Sequence, residues 1–428
     1  MRQIRRVAVL GANGTMGALS GGIFAQAGCE VAFVSRSREK SQAGIERAVA
    51  QSRSEEIATR ATAAGYDELP AIVQRSDWVF EALGEDMALK REFYAIVDAN
   101  RRDDAIVSTV SSGLSIAALA QDHSAGFRRH FLGTHFYNPP AKLPACELIT
   151  HPGTDPEVVR FAHAYLENPL RRVVVPTRDV PAFAGNRIGF QFLNQAARLT
   201  ESHSVLLVDT LLGPYTGRAM PPLATIDLVG LDVHRAIVDN VFENAVDECR
   251  DCFRMPEFMQ GMIARGQLGM KSRGAGGFYG PKQNGHRPVW NPRRESHEEV
   301  ELPRFEFIEE ARRLIRDGLY REALAVIFAA TDDAARLVQH NLSGYVHYSF
   351  ARIGDVTEPE QGIAAIDDVM AFGFNWAPPG AFVDLLGGPA ATAAVLERSG
   401  FHPPASLTRL REGMPVCRVR DVGRFFVA

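Results

Sequence analysis

Val7-Ala8-Val9-Leu10-Gly11-Ala12-Asn13-Gly14-Thr15-Met16-Gly17 decides the fold. Its first four residues are a continuous apolar run, as expected of a parallel strand buried on both faces. Glycines at 11, 14 and 17 break the run, and the small residues up to Ala27 read as a helix. Glu30-Val-Ala-Phe-Val34 supplies a second strand, so residues 7–34 form one strand–turn–helix–strand unit. Glycine lets backbone approach a pyrophosphate, and the helix N-terminus offers N–H groups and a positive dipole end. This places a dinucleotide on Gly11, Gly14, Thr15, Met16 and Gly17.

Trp78-Val-Phe-Glu-Ala82, Ala105-Ile-Val-Ser108 and Phe131-Leu-Gly-Thr134 read as further strands between helical stretches. Such alternation predicts a Rossmann-type, doubly wound parallel sheet with its ligands beyond the carboxyl ends of the strands. An acidic residue ending the second strand would bond a ribose 2′-hydroxyl; Ser35-Arg36-Ser37-Arg38 stands there instead. Arginine offers a fork of donors to a 2′-phosphate, which favours NADP over NAD.

At the same sheet edge, Ser108-Thr-Val-Ser111-Ser112-Gly113 leaves one strand and His135 leaves the next. His135-Phe-Tyr-Asn138-Pro-Pro breaks the chain, and the following apolar run, Ala145-Cys-Glu-Leu-Ile149, carries one carboxylate. If the two runs lie side by side, Glu147 reaches one imidazole nitrogen and leaves the other as a base. Carboxylate-oriented histidine is the logic of a triad, carried by a pair.

Composition supports an ordinary folded chain: 428 residues, 46% hydrophobic and 23% charged, suggest two or three domains. A net charge of −4 gives no electrostatic reason for nucleic acid or an anionic membrane as partner. No apolar run approaches the roughly 18–20 residues needed to span a bilayer. The apolar stretch after Met1-Arg-Gln-Ile-Arg-Arg6 is too short for a signal peptide and reads as the first strand. Five cysteines in a chain this long are no disulfide framework, and Cys249-Arg-Asp-Cys252 reads as a polar helix face rather than a metal site. No metal is expected, and the setting is reducing and cytoplasmic.

After Arg171-Arg-Val-Val-Val175, Pro176 and Pro181 bracket a boundary, and helical spacing dominates from Asn186 onward. Two segments repeat. Asp209 and Ile226-Asp227-Leu-Val-Gly230, around Met220-Pro-Pro222, are matched by Asp367 and Val383-Asp384-Leu-Leu-Gly387, around Ala377-Pro-Pro379. Offsets are 158 (367 − 209) and 157 (384 − 227). Gly277-Phe-Tyr279 and Gly423-Arg-Phe-Phe426 read as matching tails, joined by a polar linker from Pro281 to Arg294. The expected domains are 1–178, nucleotide-binding; 179–296, a first helical module; and 297–428, a second, structural one that covers the first as an internal pseudo-dimer.

Together these pieces resemble the L-3-hydroxyacyl-CoA dehydrogenase family over nearly the whole chain. The order resembles bacterial multidomain fatty-acid-oxidation proteins without their crotonase domain. The resemblance implies His135 and Glu147 as the catalytic pair, Ser111 and Asn186 as substrate-binding groups, and Glu85 and Lys90 on the nicotinamide side. NAD is the family's usual cofactor. It also implies reversible hydride transfer at C3 of a 3-hydroxyacyl thioester, with His135 as acid/base and an acyl-CoA as partner. Three departures stand out: Ser108-Thr109-Val110-Ser111 replaces Ser-Asn-Thr-Ser, with Gly113 extra; the glycine loop is one residue longer; and Ser35 replaces the acidic residue. They leave open a carrier-protein thioester or a non-CoA hydroxy acid as substrate. Further from the pattern lies a nucleotide-binding scaffold without activity. Arg47 and Arg53 are candidate cations for CoA, and the intact chain is expected as monomer or homodimer.

Overall fold

The computed structural model describes residues 3–272, 274–282 and 286–428. Residues 1 and 2 of the basic N-terminus and 283–285 of the expected linker lie outside them. The chain forms two compact units, Met1–Phe183 and Ala184–Ala428.

Eight strands build the first unit: β1 (Arg6–Leu10), β2 (Glu30–Ser35), β3 (Ala61–Gly65), β4 (Trp78–Glu81), β5 (Ile106–Thr109), β6 (Phe131–Phe136), β7 (Ala145–Ile149) and β8 (Val173–Thr177). Their order is β3-β2-β1-β4-β5-β6-β7-β8. Neighbours from β3 to β6 are parallel; β7 runs antiparallel to β6 and parallel to β8. The doubly wound sheet expected from sequence is thus present. Alternation explains its apolar runs. Val7 and Val9 enter one core with Phe24 and Phe33, while Ala8 and Leu10 enter the other with Val73 and Tyr94. β3, Ala-Thr-Ala-Ala-Gly, escapes sequence reading because its small residues carry no apolar signal. Pro176 lies inside β8, where an edge strand tolerates a missing N–H.

The unit boundary falls after Phe183 rather than after 178. Asp179 accepts from the Ser115 hydroxyl and the N–H groups of Ile116 and Ala117, capping the helix Ile116–Ala120. Phe183 is buried in the core of the first unit.

The second unit, Ala184–Ala428, is mainly helical. The helices Gly185–Leu199 and Asp333–Ala351 pack on each other. A Cβ on Gly189 would come within 2.3 Å of the Phe374 ring, so this approach requires glycine. Asp247 joins the two halves, accepting from Arg187 at 2.7 Å and Tyr348 at 2.5 Å.

The repeat in sequence is a repeat in hydrogen bonding. Asp209 accepts from the Leu223 N–H and Asp367 from the Gly380 N–H, each at the start of the helix beginning at Pro222 or Pro379. Asp227 takes the N–H groups of Phe278 and Tyr279; Asp384 takes those of Val416 and Cys417. Val416-Cys417 therefore answers to Phe278-Tyr279, and the expected Gly423–Phe426 tail does not. Phe426 packs instead on Tyr320 and Phe382. Within the expected linker, Val289–Asn291 pairs with Ser296–Glu298 beyond it, and Trp290 is buried. Cys249 and Cys252 are disulfide-bonded within a tight turn, not free thiols on a helix face. Cysteines three apart in a helical turn bring their Cα atoms to 5.3 Å, within bridging range.

Candidate active site

β1 lies between β2 and β4, so the strand order reverses at its carboxyl end, where open α/β sheets take their ligands. Gly11 turns there with φ of 72°, and a Cβ would lie 2.3 Å from the Ala82 carbonyl oxygen. Gly17 has as little room: its Cβ would lie 2.5 Å from the Gly11 oxygen. Gly14 caps the helix Thr15–Gln26, so Thr15 and Met16 stand in a first turn whose N–H groups lack helical acceptors. No acidic side chain occupies that turn. The cradle fits a pyrophosphate. Arg47, a candidate for CoA, donates to the Asn13 carbonyl and so braces this loop instead. Arg53 is the left-handed cap of the helix Arg38–Ser52.

At the end of β2, Ser35 is wholly buried, its hydroxyl engaged with Ser41 at 2.8 Å and the Ser37 carbonyl at 3.1 Å. It therefore faces inward. Arg36 follows, exposed, and Arg38 is held by Glu68.

His135 and Glu147 are register partners on the antiparallel β6–β7 pair. Directly opposed residues share a face, so strand pairing alone brings them together. Glu147 Oε2 accepts from His135 Nδ1 at 2.6 Å, and both side chains are buried. With its proton on Nδ1, the ring presents Nε2, which accepts from the Ser112 hydroxyl at 3.1 Å. Tyr137 also donates to Glu147 Oε2, at 2.6 Å. Burial first, then the Glu147 carboxylate, pushes its phenol well above the usual range, so it stays a donor.

Ser111, expected to face the substrate, donates to Glu85 at 2.6 Å. Glu85 also accepts from the N–H groups of Ser112 and Gly113, at 2.9 and 2.8 Å, and so shapes the loop that presents Ser112. Lys90 is wholly buried. Its ammonium meets both oxygens of the equally buried Glu81, at 2.7 and 2.9 Å, and lies 3.8 Å from Glu85. Glu81 further accepts from Thr109 at 2.7 Å and from Tyr94. Lys90 thus lies within a buried network with Glu81 and Glu85. Asn186 belongs to the second unit, buried in the first turn of the helix Gly185–Leu199.

Sequence reading missed Glu81, Ser112 and Tyr137. Tyr137 was legible in principle, because residues 135 and 137 share a face of an extended strand. Glu81 was not, since a carboxylate ending an apolar run gives no sign of what it binds. Among the described residues no group of three or more His, Cys, Asp or Glu is placed to hold a metal.

A model of the 3-hydroxyacyl-CoA dehydrogenase NAD-binding domain matches residues 6–180, and one of the same enzymes' C-terminal domain matches 183–279. A probable 3-hydroxyacyl-CoA dehydrogenase of Bacillus subtilis is 32% identical over 71% of this chain, which spans only 38% of that relative's length. A probable 3-hydroxyacyl-CoA dehydrogenase of Deinococcus radiodurans is 32% identical, the match covering 65% of this chain and 83% of the relative. The solved FadB2 of M. tuberculosis is 29% identical with a TM-score of 0.60, over 66% of this chain and all of that one. The fold of 3-hydroxybutyryl-CoA dehydrogenase from Escherichia coli covers 95% of this chain and 98% of that one, at 20% identity and a TM-score of 0.70. With the glycine cradle and strand pairing that the geometry shows, the chain belongs to the 3-hydroxyacyl-CoA dehydrogenase family of oxidoreductases.

Proposed function

We propose that this chain is a 3-hydroxyacyl-CoA dehydrogenase with His135 as its acid/base. The observation that carries the reading is the His135–Glu147 pair, fixed by register at the ligand edge of the sheet. A nicotinamide dinucleotide, when bound, supplies the hydride acceptor or donor. In oxidation, His135 Nε2 takes the proton of the substrate's 3-hydroxyl, the position that the Ser112 hydroxyl holds in the resting site. Glu147 keeps the ring in that tautomer and stabilises the imidazolium that forms. Ser112 passes from the ring to the substrate oxygen, where a donor stabilises developing charge. Ser111 and Glu85 hold the loop in place. Asn186 as a ligand of the same oxygen is carried over from the family resemblance. In reduction of a 3-oxoacyl thioester, His135 returns the proton.

For the cofactor we propose NADP over the family's usual NAD. Ser35 is turned inward, no carboxylate ends β2, and Arg36 is exposed at that edge. Steady-state reduction of acetoacetyl-CoA with NADPH and NADH in parallel tests both readings. Turnover of acetoacetyl-CoA supports the activity, and the ratio of kcat/KM values decides the cofactor. No turnover with either cofactor, together with oxidation of a free 3-hydroxy acid, would move the substrate to the non-CoA class.

A further inference from the structure

We infer that Tyr137 is a positioning residue of the acid/base pair, setting the pH at which His135 gains its proton by drawing on the same carboxylate oxygen. This rests on His135 as acid/base. Glu147 Oε2 accepts His135 Nδ1 and the Tyr137 hydroxyl, each at 2.6 Å. The two rings lie 4.9 Å apart on one face of the β6 strand line, opposite β7. An oxygen that already accepts a phenol has less negative charge to offer an imidazolium. The phenol therefore favours the neutral ring over the charged one and keeps the carboxylate in a fixed rotamer.

Neighbouring elements add little competing charge. Cys146, beside Glu147 on β7, is held protonated by burial. Arg172, just before β8, lies over the Phe136 ring at 5.9 Å, and its guanidinium donates to the Pro140 carbonyl. Ser112 and Phe183 meet the imidazole as neutral groups. Glu85 lies beyond Ser112 and is occupied by Ser111 and the loop N–H groups. Glu147, which Tyr137 shares, meets the ring at Nδ1, and the neutral Ser112 hydroxyl meets it at Nε2.

The test is Tyr137→Phe, which removes the hydroxyl and keeps the ring. Oxidation requires the neutral imidazole, so kcat/KM rises with pH through the titration of His135. In the variant the carboxylate oxygen no longer accepts the phenol and offers more charge to the imidazolium, so the acidic limb should move up by roughly 0.5–1 pH unit, a roughly 3- to 10-fold loss at fixed acidic pH. NMR titration of the His135 ring in the resting protein should show the same upward shift. Placed on Glu147→Gln, Tyr137→Phe should move neither. If the variant does not fold, wild-type sequence carrying 3-fluorotyrosine, a stronger donor, should shift the ring's midpoint downward. An unmoved limb and midpoint, or a plateau loss with an unmoved limb, would overturn the inference. Wild-type turnover from His135→Ala would remove the catalytic reading, while the NMR titration would still decide whether Tyr137 sets the ring's charge.

Discussion

Arg218 and Trp376 pair with each other in antiparallel fashion, although 158 residues (376 − 218) separate them, the offset that relates Asp209 to Asp367. The Ala377 N–H donates to the Gly217 carbonyl at 2.7 Å beside them. Arg218 is wholly buried, its guanidinium 3.7 Å from the Phe192 ring centre, 4.8 Å from Trp376 and 5.3 Å from Tyr345. Burial pushes its pKa down to about 9.

That asymmetry gives the first prediction. Trp376→Arg would set two buried guanidinium groups against each other and should cost about 3 kcal/mol or more. The exchange Arg218→Trp with Trp376→Arg restores one cation and one indole, and should recover about 1 kcal/mol or more of coupling. Urea unfolding of the three full-length variants measures it. A double variant no better than the sum of its singles would show that the two residues act independently.

His135→Ala should lower kcat by roughly 10²–10⁴ while dinucleotide binding is kept, because only the acid/base group is lost. Glu147→Gln should retain the fold and lose much of kcat through the wrong tautomer and an unsupported imidazolium. Stopped-flow turnover and a fluorescence titration of the dinucleotide separate the two effects.

Arg36→Ala should weaken NADPH by about 1.5–3 kcal/mol and leave NADH nearly unchanged, the worth of a charge-assisted hydrogen bond. Calorimetric binding of both cofactors reads this directly. Equal losses would return the cofactor to NAD.

Lys90→Met should destabilise the first unit by about 3–5 kcal/mol, since Glu81 would be left buried with its charge uncompensated. Adding Glu81→Gln should recover part of that loss. Chemical unfolding followed by near-ultraviolet circular dichroism measures both.

His234 predicts a pH dependence. It is wholly buried, its Nε2 3.0 Å from Asn194 Oδ1, and burial pushes its pKa down to about 3. A histidine depressed in the folded state contributes stability above its unfolded value, near 6.5, and loses it as pH falls towards 3. At pH 5 the loss is about 2 kcal/mol. Asp209, which burial raises to about 7, acts in the opposite sense: its contribution is full below about 4 and is lost as pH rises through 7. The informative quantity is therefore wild type minus His234→Gln, which should narrow by about 2 kcal/mol between pH 8 and pH 5. A pH-independent difference would count against a neutral buried imidazole.

Strand runs, glycine spacing and the intervals between residues determined most of the sheet, the cradle and the His135–Glu147 pair in advance, because each depends on local periodicity or on neighbours in one hairpin. The Asp209/Asp367 and Asp227/Asp384 repeat was equally legible, as it rests on residue identity at a fixed offset. What only tertiary structure decided lies where partners come from distant parts of the chain. Lys90 is buried on Glu81, Ser112 meets the imidazole while Ser111 meets Glu85, and Val416-Cys417 rather than Gly423–Phe426 completes the second copy. A lysine, a serine or an aromatic tail looks the same in sequence whether it faces solvent or a partner. Burial and hydrogen-bond satisfaction, set by packing among several elements at once, assign each its place.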